Sequence, residues 1–93
     1  MFVHMTLHYP LRGKEDEILE AMKRYAAVMD GKPGGREAHV LRDTGTGKII
    51  GLYMWDTKEQ WEAVLPDMEN EIKDDPFHEW EDTPPKVYHL EEL

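Results

Sequence analysis

The chain contains neither cysteine nor serine, and only one asparagine (Asn70) and one glutamine (Gln60). Without cysteine it has no disulfide, no thiolate nucleophile and no thiolate metal ligand. Without serine, every serine-based triad is excluded. Threonines such as Thr6 and Thr57 remain as hydroxyl nucleophiles, and nothing beside them in the sequence activates them. Long apolar runs are also missing. The longest span a handful of residues, against the roughly 20 of a membrane helix, so no membrane association is expected. No charged-then-apolar leader opens the sequence, and a cytoplasmic protein is expected. Basic residues are scarce, at 11 against 20 acidic ones, for a net charge of −9. A phosphate-binding stripe is therefore absent, and nucleic acid is not an expected partner. From Met1 to Trp55 the acidic and basic residues number 7 and 8, and from Asp56 to Leu93 they number 13 and 3. That excess reads as a solvated acidic face.

At 93 residues the chain is the size of one domain, residues 1–93, with a modest core. Small domains often draw further stability from a disulfide, a metal or a partner subunit, and the first is excluded.

Residues 2–9 alternate, with Val3, Met5, Leu7 and Tyr9 on one side and Phe2, His4, Thr6 and His8 on the other, which predicts a strand. Pro10 and Gly13 end it. Ile18, Met22, Tyr25 and Met29 then repeat at helical spacing behind acidic Glu15, Asp16 and Glu17, predicting a helix over 15–29. Asp30-Gly31 stops that helix. Strands are predicted over 37–43 and 48–55, joined through Thr44-Gly45-Thr46-Gly47 as an antiparallel hairpin. The second of these is apolar nearly throughout, in Ile49, Ile50, Leu52, Tyr53, Met54 and Trp55, so both its faces are expected to be covered.

Thr57 and Gln60 stand at capping-box spacing, opening a helix whose stripe is Trp61, Leu65, Met68 and Ile72. Pro66 is expected to kink or break it near Leu65. Asp75-Pro76 reads as an N-cap with proline at the first helical position, starting a short helix to Trp80. A last strand is predicted over 87–90. The order is β-α-β-β-α-β, an α+β class with a ferredoxin-like plan and a four-stranded antiparallel sheet. Helices cover one face of such a sheet, and self-association across the other makes a homodimer the expected assembly.

The stretch from Pro33-Gly34 through Val40-Leu41-Arg42-Asp43 to Tyr53-Met54-Trp55-Asp56-Thr57-Lys58-Glu59-Gln60-Trp61, with Asp75-Pro76-Phe77-His78-Glu79-Trp80 further on, resembles the antibiotic-biosynthesis-monooxygenase-like group. The likeness spans nearly the whole chain. It implies a dimeric α/β barrel with a small-molecule pocket between sheet and helices in each subunit. It also implies, in some members, oxygenation of phenolic or enolisable substrates without metal or flavin, so that no cofactor is expected. Trp55 matches the family tryptophan in position. Where quinone-forming members carry a strand asparagine, this sequence has Ile50-Gly51. Haem-degrading relatives combine an asparagine on the first strand, a tryptophan in the second helix and an iron-ligating histidine. The matching elements here hold His4 and Thr6, Trp61, and His78.

The resemblance makes His4 and Trp55 the candidate catalytic residues, and Thr6, Trp61 and His78 candidate substrate contacts. His4 has an ordinary histidine's suitability as a proton acceptor near neutral pH. Tryptophans at a strand end or on an apolar helical stripe also serve as core anchors. His4 and His8 share a strand face but lie about 13 Å apart, too far to share one metal ion. A metal site would need His39, His78 or His89 to be brought in, and none is expected. A non-catalytic homodimer that binds a small ligand or serves as an interaction module is the alternative reading, and haem degradation, implied by the haem-degrading relatives, ranks below it.

Overall fold

A computed structural model describes all 93 residues. The strands are β1 (Phe2–His8), β2 (Gly35–Arg42), β3 (Ile49–Trp55) and β4 (Lys86–Glu91), and the helices are α1 (Glu15–Ala27), α2 (Lys58–Ile72) and α3 (Phe77–Trp80). The strands form one antiparallel sheet in the order β2-β3-β1-β4. The expected ferredoxin-like β-α-β-β-α-β plan is therefore present, with α3 as a short addition before the last strand. No helix is long and apolar enough to cross a membrane.

Register decides what the helices cover. Phe2, His4, Thr6 and His8 pair with Trp55, Tyr53, Gly51 and Ile49, and all eight point toward the helices. On β1 the polar-looking face is thus the buried one. Its apolar face, Val3, Met5 and Leu7, lies on the bare side of the sheet beside Leu52, Ile50 and Met54. The expectation that both faces of β3 are covered holds for one face within a single chain.

The core is built where α1 and α2 cross the sheet. Trp55, Tyr53 and Met68 have no exposed surface, and Phe2, Tyr25, Trp61 and Val64 pack with them. Gly34 turns the chain into β2 with φ +79°, and the Gln60 side chain occupies the space a Cβ would need. The helix start forms at Thr57 as predicted, with Gln60 N–H donating to Thr57 Oγ1 at 3.2 Å, while the Gln60 side chain accepts from the Thr57 hydroxyl at 3.1 Å and not from its backbone N–H.

Two expectations are corrected. Pro66 neither ends nor splits α2, which runs through it to Ile72. Pro66 is exposed, so the Glu62 carbonyl left without its donor faces water, which satisfies it. Asp75 does not cap α3, because Pro76 holds the cap position and makes no side-chain cap bond. The Asp75 carboxylate instead accepts from Arg24 Nη2 at 2.9 Å, while Arg24 Nη1 donates to the Glu71 carbonyl at 3.1 Å. One guanidinium thereby satisfies a C-terminal carbonyl of α2 and ties α1 to it.

Candidate functional site

No helix packs closely on β4, and the gap between α2 and β4 opens a cavity of about 390 Å³ over the centre of the sheet. Its floor is the helix-facing row of β1 and β4, with His4, Thr6, His8, Val87 and His89. Its walls are Met22 and Tyr25 from α1, Trp61, Leu65, Glu69 and Ile72 from α2, and Phe77 from α3. Gly51 makes room for it. A Cβ there would run into the Tyr53 hydroxyl and stand 2.9 Å from Thr6 Oγ1, so both groups occupy space that only glycine leaves open.

His4 sits at one end among aromatic rings, with centroids 5.2 Å from Trp61, 5.6 Å from Tyr53 and 5.3 Å from His89. Burial, and secondarily the neighbouring His89, pull its pKa down to about 4. The ring is therefore neutral at pH 7. It makes no hydrogen bond: Nδ1 is enclosed without a partner, which leaves Nε2 as the nitrogen available to a ligand. Trp61 Nε1 is likewise buried and unpartnered. Burial, with Glu69 adding to it, pushes the Tyr25 hydroxyl up to about 12, and burial raises Tyr53 further. Both phenols keep their protons and remain donors at neutral pH.

This makes a testable prediction. An unfolded histidine binds its proton near pH 6.5, whereas folded His4 does so only near 4. The unfolded chain thus holds more protons between these values, and stability falls as pH drops through that window. After discounting for water in the open cavity, the His4 share of the loss is roughly 2 kcal/mol. Chemical denaturation of His4→Gln against the parent across pH 7 to 4 should show a correspondingly flatter decline, and parallel curves would refute it.

At the other end the structure joins residues that the sequence leaves apart. His8 Nδ1 lies 2.6 Å from Glu81 Oε1, and His8 Nε2 lies 3.0 Å from Thr6 Oγ1. His8 and Glu81 are 4% and 7% exposed. The chain around Glu81 is fastened beside the exit of β1, since Leu11 N–H donates to the Trp80 carbonyl at 2.7 Å and Asp82 N–H to that of Tyr9 at 2.8 Å. The sequence shows no group beside Thr6, and the fold sets the His8–Glu81 pair next to it. His8 comes from 2 positions along the strand, whereas Glu81, the partner of His8, comes from 73 positions beyond it and follows no motif.

Of the expected site residues, His4, Thr6 and Trp61 line the cavity together. Trp55 does not: it is fully buried in the core one residue pair beyond His4, with its indole N–H unpartnered. His78 is exposed and borders a separate shallow depression beside Thr83 and Pro84. His39 lies on the opposite face of the sheet, and no three His, Asp or Glu side chains converge as a metal site would need. The sequence reading missed Tyr25, Tyr53, His8, Glu81 and His89. For His8 a signal existed, because it shares a strand face with His4 and Thr6.

A four-stranded antiparallel sheet with helices on one face and an aromatic cavity between the layers defines the class. Among solved structures, Rv0793 from Mycobacterium tuberculosis superposes with a TM-score of 0.83 at 12% identity, over 99% of this chain and 94% of that one. A protein from Nitrosomonas europaea, provisionally named an antibiotic biosynthesis monooxygenase, gives 0.77 at 15% identity over 100% and 99%. A mutant of SnoaB, a cofactor-independent oxygenase from Streptomyces nogalater, gives 0.74 at 14% identity over 98% and 92%. No family model matches the sequence, and no curated protein matches it significantly. The fold is that of antibiotic-biosynthesis-monooxygenase-like proteins, as the sequence resemblance implied; at these identities the likeness is one of fold.

Proposed function

We propose that this chain is a homodimeric, cofactor-independent oxygenase of the antibiotic-biosynthesis-monooxygenase-like group, acting on a small aromatic or enolisable compound. The observation that supports it most is the cavity itself: about 390 Å³, walled by aromatic rings, with His4 neutral and unpartnered against its floor. Pockets of this size take ligands of two or three fused rings and use a few polar groups to orient them. His4 Nε2 meets the ligand's hydroxyl, and Tyr25 and Tyr53 are protonated donors near a developing oxyanion. Removal of a substrate C–H proton leaves a carbanion that reacts with O₂. One oxygen atom stays as a carbonyl and the other leaves as water, so a CH₂ group becomes C=O. The protein's part is to bind, orient, accept the proton and exclude water.

Incubation with an anthrone under air, following oxygen uptake and quinone formation, tests this reading. Uptake well above buffer is expected, with His4→Ala raising KM about tenfold or more as a positioning contact is lost. Uptake equal to buffer sinks it.

One observation favours a second reading, ligand binding without turnover. The strand position of the quinone-forming relatives' asparagine falls at Ile50-Gly51 here, and Gly51 presents no side chain to the cavity. That reading predicts ligand-induced stabilisation with no oxygen consumed.

A further inference from the structure

His8, two residue pairs along the floor from His4, is set up differently. Glu81 Oε1 lies 2.6 Å from His8 Nδ1, and an ionised carboxylate only accepts, so the tautomer that suits this contact carries N–H at Nδ1. In the neutral ring the lone pair then falls on Nε2, facing the Thr6 hydroxyl at 3.0 Å. Carboxylate, imidazole and hydroxyl thus stand in the order of an oriented base, with the hydroxyl at the cavity surface. The arrangement is rigid. Glu81 N–H donates to the Phe77 carbonyl at 2.9 Å, Ile49 pairs with His8 across the sheet, and the Phe77 ring lies 6.1 Å from the imidazole. Glu81 is the charged group in contact with His8. The other titratable groups around the cavity are Glu69 on α2, Tyr25 on α1, Tyr53 on β3, His89 on β4 and His4 on its own strand. His4 has no carboxylate partner, so nothing beside it would stabilise an imidazolium.

We propose that Glu81 and His8, reached through the Thr6 hydroxyl, form the proton acceptor of the cavity, taking a proton from a bound phenol or enolisable ketone. The proposal rests on the oxygenase reading for the class of substrate alone. The substrate's proton passes to Thr6 Oγ1 as the proton of Thr6 passes to His8 Nε2. The electron pair left behind stays on the substrate as phenolate or enolate, and the imidazolium is paired with the Glu81 carboxylate. No oxidant takes part, and reprotonation runs the same path backward. His4 then orients the ligand, and His8 acts through Thr6.

The test uses 4-nitrophenol, whose ionisation is visible in its absorbance, bound to the intact protein and titrated with pH. The bound probe should ionise at least one pH unit lower than in water, giving about tenfold more phenolate below its solution midpoint. Thr6→Val, His8→Gln and Glu81→Gln should abolish that shift, while Thr6→Ser and His78→Gln, the latter outside the cavity, should retain it. Thr6→Val keeps the shape of the side chain and decides the matter if His8→Gln does not fold. A shift that survives Thr6→Val overturns the proposal, as does a wild-type cavity that fails to bind or ionise the probe. With an anthrone, Thr6→Val should lower kcat about 10²-fold while KM changes little. The two readings separate cleanly. Ionisation of the probe without oxygen uptake refutes the oxygenase and leaves the acceptor standing, and uptake unaltered by Thr6→Val does the reverse.

Discussion

Trp55→Ala should cost about 4 kcal/mol of folding stability, the upper range for emptying a large buried site. Trp55 has no exposed surface, packs within the main core cluster and lies against the close approach of Gly35, where a Cβ would stand 3.6 Å from the indole. A chain of this size has roughly 5–10 kcal/mol to lose, so the variant should melt far below the parent and fold incompletely at 37 °C. Trp55→Phe should behave quite differently. It removes packing volume but also removes an indole N–H buried without a partner, which carries its own desolvation cost. The expected net loss is about 1 kcal/mol. Because Trp55 does not line the cavity, Trp55→Phe should bind an aromatic ligand with the parent's affinity once folded. Urea unfolding read by circular dichroism, with ligand titration of the folded variant, measures both effects. A well-folded Trp55→Phe that loses ligand binding would restore a direct role at the site.

These outcomes bear on how much could be read before the structure was known. Element order was legible because each element carries a strong local period: Ile18, Met22 and Tyr25 along α1, and the capped run from Thr57 to Met68 in α2. The hairpin was legible from its glycine-rich turn. Which face of β1 points inward was not. Val3, Met5 and Leu7 are more apolar than His4, Thr6 and His8, yet register with β3 sends the histidines inward, since Trp55, Tyr53 and Ile49 occupy the helix-facing positions of that strand. Register with β3 is a non-local contact, which the alternation of a single strand does not report. The site divided in the same way. His4 and Thr6 could be found from one strand's alternation, whereas Glu81 meets His8 only because backbone bonds fasten residues 80–82 beside residues 9–11. Asp75 shows the converse, a good capping residue by local pattern that a guanidinium on another helix engages instead.

The bare sheet face leads to the second large effect. Leu52 lies at its centre, paired with Met5 on β1 and His39 on β2, and Met5 in turn pairs with Tyr88 on β4. Val3, Leu7, Ile50, Met54, Leu41 and Leu90 surround this row, with Leu41 and Leu90 46% and 44% exposed. An apolar face running across all four strands is larger than a lone chain usually leaves to water, and in the proposed homodimer a second copy would present the same surface back to it. A stable pairing needs about 800 Å² from each partner, which a four-stranded face can supply. Leu52→Asp should therefore weaken dimerisation by 10³-fold or more, because a two-fold interface would bury two unpaired carboxylates at its centre. In the separated chain that position is only half-buried, so the monomer should keep its fold and its circular dichroism. Sedimentation equilibrium at micromolar concentration should find the parent as a dimer and Leu52→Asp as a monomer. An unchanged dimer in the variant would place the interface elsewhere, and a monomeric parent would remove the dimer altogether.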